Sequence, residues 1–415
     1  MAVTEDVRTE VRAWLDDNWD PDLTVAEWWQ RLADSGWGHP TWPEEHSGRG
    51  LGRPEANAIG KEITEAGALG PPGGLGTMLA GPTILAHGTD EQKKRFLPTI
   101  ANGQEAWCQL FSEPNAGSDL AGLQTRAVRD GDEWVVNGQK VWTSGGQHAD
   151  LGMLIARTDP DAPKHRGITY FGIPMHQPGI EVRPLVEMTG RALFNEVFLD
   201  DARVHDDARI GELGQGWAVA NTTLMNERAS LGGGGGSSAT SLALPGTVAG
   251  HLEKRAGDFV KRSKGASGTA SILAGRSTDV LMALVKELGK VEDPLIRQDL
   301  MRLYSMDQIS SWGVQRAKVG QASPALPNLA KLMMSSMTRL ARDLGLRIVG
   351  PSGTLTGPDT PGHGAIQELA LFSPAPSIYG GTDEVQRNII GERVLGLPKE
   401  PGPDKDTPFS ELLKN

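Results

Sequence analysis

The feature that most constrains the fold of this chain is the spacing of its apolar residues, which changes twice between the two ends. Residues 1 to about 105 carry helical spacing broken by Pro and Gly, in "VRTEVRAWLDDNW", "VAEWWQRLADSGW", "RPEANAIGKEITEAG" and "DEQKKRFLPTIANG". In the last of these Thr89 is placed to cap the first turn, and Asp90 and Glu91 suit its positive end. Trp28 and Trp29 read as core. From 106 to about 215 the period falls to two. "RAVRDGDEWVVNGQKVWTS" contains two strand-like runs joined at Asp130, Gly131 and Asp132, and "LGMLIART", "GITYFGIPM", "GIEVRPL" and "NEVFLDDARV" follow at short intervals. This predicts an antiparallel sheet or barrel. After about 216 helical spacing returns in long stretches such as "PLIRQDLMRLYSMDQISSWGVQRAKVG" and "LPNLAKLMMSSMTRLARDLGLRIVG", as a helix bundle requires.

One stretch interrupts the third region. "SLGGGGGSSATSLALPG" has low complexity and a large ordering entropy, and it does not follow a strand as a phosphate-gripping glycine loop would. In the "TVAGHLEKRAGDFVKR" that follows, Val248, Leu252, Phe259 and Val260 fit one helical face, with Lys254, Arg255, Lys261 and Arg262 turned largely away. A solvated helix is the expectation here, ahead of an anion-binding lid.

The 415 residues are enough for two or three cores. A net charge of -11 disfavours nucleic acid, whose binding depends on clustered Lys and Arg. The single cysteine, Cys108, leaves no internal disulfide and fits a reducing compartment. The first residues are acidic and amphipathic, unlike a signal peptide, and no apolar run reaches a membrane span, so a cytoplasmic location is expected. The histidines, including His148 and His205, show no metal-ligand spacing with a third ligand, and no metal is expected.

Three stretches taken in order resemble the acyl-CoA dehydrogenase family: "WCQLFSEPNAGSDLAG", "NGQKVWTSGG" and "YGGTDEVQRNIIGERVLGL", supported by "WPEEHSGRGLG", "HGTDEQKKRFLPTIANG" and "FNEVFLDDARV". The resemblance implies an α+β chain: an all-α amino-terminal domain (1–105), an antiparallel β middle domain (106–215), a carboxy-terminal four-helix bundle (216–400, with the glycine-rich insertion at about 232–264) and a tail (401–415). It also implies FAD and an acyl-CoA substrate, which the reaction converts to the trans-2-enoyl-CoA. An electron-transfer flavoprotein is the implied acceptor, and a homotetramer or mixed tetramer the implied assembly.

By the same resemblance Phe111, Ser112, Trp142 and Ser144 would meet the flavin ring, and Ser118 the thioester entrance. Gln298, Arg347, Gly350 and Gly353 would meet the pyrophosphate and adenosine from an adjoining subunit, with Thr382 and Glu384 at further nucleotide-binding positions. Two departures stand out. No clear basic residue precedes the turn at Gly289, Lys286 being only nearby, and Pro351 replaces a usual glycine.

In many members of the family the residue after the loop tyrosine is the catalytic glutamate. Here Tyr379 is followed by Gly380, which cannot accept a proton. A minority branch carries the base on the first helix of the last domain, directly before an arginine, and this chain has "LMNERAS" there. Glu227 is therefore the expected base, and Arg228 would orient or tune it. Burial among Leu224, Met225 and the acyl chain would raise the proton affinity of the carboxylate. Leu224, Arg228 and Tyr379 would line the substrate, while the N–H of Gly380 would still polarise the thioester carbonyl. Asp383 and Glu384 rank below Glu227. The competing readings are a non-catalytic or flavin-poor partner subunit of a mixed tetramer, and a flavin oxidase or monooxygenase on the same fold.

Overall fold

The computed structural model describes residues 2–232, 241–260, 277–318, 323, 325–357, 359–399, 401–402 and 404–412. The amino-terminal region is helical: α1 (Ala2–Asn18), α2 (Val25–Ser35), α3 (Arg53–Glu65), α4 (Gly81–His87) and α5 (Asp90–Ala101). Two starts are fixed locally. Thr24 with Glu27 and Thr89 with Gln92 form capping boxes, each satisfying backbone N–H groups that a helix leaves unpaired. Trp28 and Trp29 are fully buried, and their ring N–H groups donate to the carbonyls of Leu69 at 2.6 Å and Gly70 at 2.9 Å.

His39 is also buried here, stacked on Trp42 with its Nε2 3.1 Å from the Ala101 carbonyl. Burial pushes its pKa down to about 4 from an ordinary 6.5. The unfolded chain therefore takes up this proton at a higher pH than the folded one. Stability is retained above pH 6.5 and lost as pH falls from there to about 4, by up to about 3 kcal/mol from this residue. His39→Gln is expected to flatten that part of the stability-versus-pH curve, as read by urea unfolding at pH 7 and pH 5.

The middle region is one eight-stranded sheet: β1 (Trp107–Leu110), β2 (Arg126–Asp130), β3 (Glu133–Ser144), β4 (Leu151–Arg157), β5 (Ile168–Pro174), β6 (Ile180–Leu185), β7 (Phe194–His205) and β8 (Arg209–Ile210). Its order is β6-β7-β3-β2-β4-β5-β8, with β1 alongside β4. The β2–β3 hairpin closes where expected, with Asp130 opposite Glu133 and Gly131 at φ +68°. The sheet is not wholly antiparallel, because β1 and β2 each pair with β4 in parallel. Parallel neighbours need a crossover, and the long 111–125 loop and the β2–β3 hairpin provide the intervening chain.

After the sheet come α6 (Gly216–Gly232), α7 (Ser277–Glu287), α8 (Pro294–Lys318) and α9 (Leu326–Val349), followed by the short α10 (Ala365–Phe372) and α11 (Asp383–Ile389). Leu281, Leu284, Ile296, Leu303, Leu344 and Ile348 form the apolar seam of α7, α8 and α9.

The helix expected around 248–260 does not form. Residues 247–255 run through turns, and only Ala256–Phe259 makes a short 3-10 turn. The backbone is bonded instead to the chain before and within α2: Val25 N–H to the Lys254 carbonyl at 2.8 Å, Ala26 to Leu252 at 2.9 Å and Ala256 to Leu23 at 2.8 Å. Leu252, Phe259 and Val260 do face a core, but it is that of the amino-terminal helices. Apolar spacing alone cannot distinguish one partner from the other. The glycine run at 233–236, and Lys261 and Arg262, lie outside the described residues.

Candidate active site

The loop after β1 is held against β3 by a buried ion pair. The Lys140 ammonium, wholly enclosed, lies 2.9 Å from a Glu113 carboxylate oxygen and donates to the Phe111 carbonyl at 3.1 Å. The same carboxylate accepts the backbone N–H groups of Gln124 at 2.7 Å and Thr125 at 2.9 Å. Burial works against the charge on Glu113, but Lys140 and these donors outweigh it and hold the carboxyl below its usual range. One residue on, the Val141 N–H donates to the Ser112 carbonyl at 2.9 Å. Phe111 and Ser112 are thereby fixed beside the strand that carries Trp142 and Ser144.

At that point the β3–β7 pairing slips between Lys140 and Thr143, and Trp142 adopts φ +62°, a conformation a bulky residue takes only where its surroundings impose it. The bulge turns the indole outward, 57% exposed, with Phe194 packed edge-on at 5.8 Å. The hydroxyls of Ser112 and Ser144 have no hydrogen-bond partner among the described residues. An exposed aromatic face flanked by unengaged hydroxyls suits a flat, polar-edged ring. Ser118 is exposed on the same loop.

A second group gathers at one end of the bundle. Arg347, at the end of α9, is ion-paired with Asp299, the residue after exposed Gln298 on α8. Gly350 follows at φ +58° in a 3-10 turn, and a Cβ at Gly353 would press on Leu346 and Val349 at 3.2 Å. Lys290 completes the corner: its Nζ donates to the Ile348 carbonyl at 2.6 Å, and a Cβ at Gly350 would lie 3.8 Å from it. Lys286 precedes the left-handed turn at Gly289, φ +66°, and Lys290 directly follows it. The cation, the glycine backbone and the amide of Gln298 are groups suited to a pyrophosphate.

The 376–386 loop is pinned to α9 by polar contacts. Ser335 donates to the Pro376 carbonyl at 2.8 Å, and Asn328 donates to Gln386 at 2.6 Å, whose amide in turn donates to the Gly380 carbonyl at 2.8 Å. Asp383 is buried between Lys331 at 3.4 Å and Arg339 at 3.0 Å, so its charge is fully engaged in holding the loop. Thr382 caps α11 with its hydroxyl, and exposed Glu384 pairs with Arg387 at 3.2 Å. Gly380 stands at φ +64°, where a side chain is strained, and its N–H has no partner among the described residues. Tyr379 precedes it, with Phe372 6.4 Å away between ring centres.

Glu227 lies on α6, half-buried. Its nearest hydrogen-bond donor is the Gln109 amide of β1, 3.4 Å from Oε2, and it makes no ion pair among the described residues. Burial raises its pKa, against smaller opposing effects of Gln109 and Arg228. Arg228 is half-buried, and burial lowers its pKa, with Arg393 from the carboxy-terminal turn close enough to add to that effect. Leu224 packs on the sheet-side core, but Met225 is 59% exposed, so it takes no part in enclosing the carboxylate. Successive helical residues point about 100° apart, which separates Met225 from Leu224. Gln109 escaped the sequence reading because nothing local links it to a residue 118 positions away.

The helical, sheet and helical regions match the amino-terminal (2–104), middle (108–202) and carboxy-terminal (272–395) domain models of acyl-CoA dehydrogenase. The chain belongs to the acyl-CoA dehydrogenase family, whose members are FAD-dependent flavoprotein oxidoreductases. It is 37% identical over 422 residues to the acyl-CoA dehydrogenase IpdE1 of Mycobacterium tuberculosis, covering 96% of this chain and 99% of that one. Among solved structures, the Tcur3481-Tcur3483 steroid ACAD superposes with TM-score 0.69 at 27% identity, over 96% and 99% of the two chains. The ChsE4-ChsE5 complex from Mycobacterium tuberculosis superposes with TM-score 0.68 at 28% identity, over 96% and 99%. Among the described residues no helix is long and apolar enough to cross a membrane, and no group of side chains could hold a metal ion.

Proposed function

We propose that this chain catalyses α,β-dehydrogenation of an acyl-CoA thioester to the trans-2-enoyl-CoA, with Glu227 as general base. The supporting observation is a half-buried carboxylate that forms no ion pair among the described residues, in a chain whose loop carries glycine where the resemblance places the base of many family members. Trp142, Ser112 and Ser144 would flank the FAD ring, while Lys290, Gly350, Gly353, Arg347 and Gln298 would receive its pyrophosphate and adenosine half. Bound FAD supplies the acceptor for the hydride that leaves the β-carbon.

The residues of the chain do the rest. The Gly380 N–H, without a partner among the described residues, would donate to the thioester carbonyl, drawing charge onto that oxygen and acidifying the α-carbon. Glu227 takes the α-proton onto its carboxylate as the α,β double bond forms. Desolvation makes it a stronger base than an exposed glutamate. Arg228, itself depressed by burial, lies beside the carboxylate without bonding to it, so it tunes the field of Glu227 without quenching it.

The relatives described as a steroid ACAD and as a ChsE4-ChsE5 complex suggest assembly with a second chain, and an electron-transfer flavoprotein would be the acceptor. Leu295, Met301, Tyr304, Ile309 and Trp312 of α8, all exposed, support such an assembly, whether homomeric or mixed.

Anaerobic titration of the FAD-loaded protein with a panel of acyl-CoA thioesters tests the proposal. Bleaching of the flavin band near stoichiometry is the expected result. A flavin that dithionite reduces but no thioester bleaches would favour the partner-subunit reading, and peroxide formation in air would favour an oxidase.

A further inference from the structure

The geometry points to Gln109 as a positioning residue for Glu227, its side-chain amide orienting the carboxylate toward the α-proton and setting the pH at which that carboxylate becomes available. This inference rests on the assignment of Glu227 as base.

Gln109 is the one half-buried residue in β1, whose other three are buried. The strand is fixed along β4 in a parallel register, with Gln109 opposite Met153, so the amide projects from a rigid element. Its Nε2 reaches Oε2 of Glu227 across the boundary between sheet and bundle. It is a neutral donor, so it can orient the carboxylate without discharging it. A lysine or arginine at the same place would form an ion pair and remove the basicity that burial provides.

The other groups around this part of α6 have their own partners or lie farther off. His87 of α4 is bonded to Thr222 at 2.7 Å, and Tyr170 of β5 lies 3.3 Å from the Thr223 hydroxyl. Arg228 acts on Glu227 only through space, with Arg393 behind it. On α9, Lys331 and Arg339 are engaged by Asp383. Gln109 is thus the only group that hydrogen-bonds the Glu227 carboxylate among the described residues.

The test is the pH profile of anaerobic flavin reduction in Gln109→Met, a near-isosteric change that removes the donor. The acidic limb is expected to move to higher pH. Below the limb the rate should drop about tenfold relative to the parent, the size of effect one hydrogen bond to a charged group supports. On the alkaline plateau, where the carboxylate is ionised in both proteins, it should fall by a smaller factor, from the lost orientation alone. Gln109→Glu, which sets a second carboxylate against the first, is expected to move the limb further in the same direction. A readout independent of turnover is the infrared carboxylic-acid band assigned by its loss in Glu227→Gln, whose titration should move with the limb in Gln109→Met.

A rate lowered equally at every pH, or an infrared titration that does not move, would overturn the role of Gln109 and reduce it to packing. Flavin reduction at the parental rate in Glu227→Gln would instead overturn the base assignment, whatever Gln109→Met does. FAD content and melting temperature of each variant separate both outcomes from misfolding.

Discussion

Glu227→Gln is expected to bind FAD and acyl-CoA as the parent does and to lose flavin reduction by roughly 10²–10⁴-fold, the range a positioned general base contributes. The amide keeps the size and hydrogen-bonding reach of the carboxylate but cannot accept the α-proton. Stopped-flow reduction under anaerobic conditions, with spectral titration of thioester binding, separates the two effects. In the parent the rate should fall toward acid pH, with a limb above that of an exposed glutamate, because burial raises the pKa of this carboxyl and only the ionised form serves. Asp383 is no substitute, since two cations hold it. A variant that still reduces its flavin quickly would place the base on another residue.

The largest stability effect is expected at Lys140. Lys140→Met leaves Glu113 enclosed beside the sheet with its counter-charge gone, and an unpaired buried charge of this kind costs about 3–5 kcal/mol. Loss of the bond to the Phe111 carbonyl also releases the loop that brings Phe111 and Ser112 against β3, so FAD content should fall together with melting temperature. The double variant Lys140→Met with Glu113→Gln should recover part of the stability, because it leaves no unpaired buried charge and the amide oxygen still accepts one of the Gln124 and Thr125 N–H groups, which the two carboxylate oxygens accept separately in the parent. If the double variant proves no more stable than the single, the cost comes from packing and not from charge.

What could be read from the sequence follows the range of the interactions involved. The caps at Thr89 and the turn at Gly131 are settled within a few residues, and both stand where the sequence places them. The three-region architecture was legible because apolar period is also local. The parallel pairing of β1 and β2 with β4 was not, since strand neighbours depend on connections as much as on composition. At the proposed site, the glycine at 380 and the glutamate at 227 stand in recognisable motifs, but their environment was not legible. The Gln109 amide, the Lys140–Glu113 pair and the arrival of Lys290 beside Gly350 all join residues far apart in the chain. Met225 and the 248–260 segment failed for a related reason: an apolar residue shows that it has something to gain from burial, but not where.

The return of residues 252–260 to the amino-terminal helices bears on how the molecule can be dissected. A boundary drawn before α6 would separate the tryptophan-rich helices from Leu252, Ala256 and Phe259, which close their core, and from the Lys254 and Leu252 carbonyls that accept N–H groups at the start of α2. Fragments cut there would each expose a seam, so the first and last thirds of this polypeptide are one unit for the purposes of expression, even though the sheet intervenes between them in the chain.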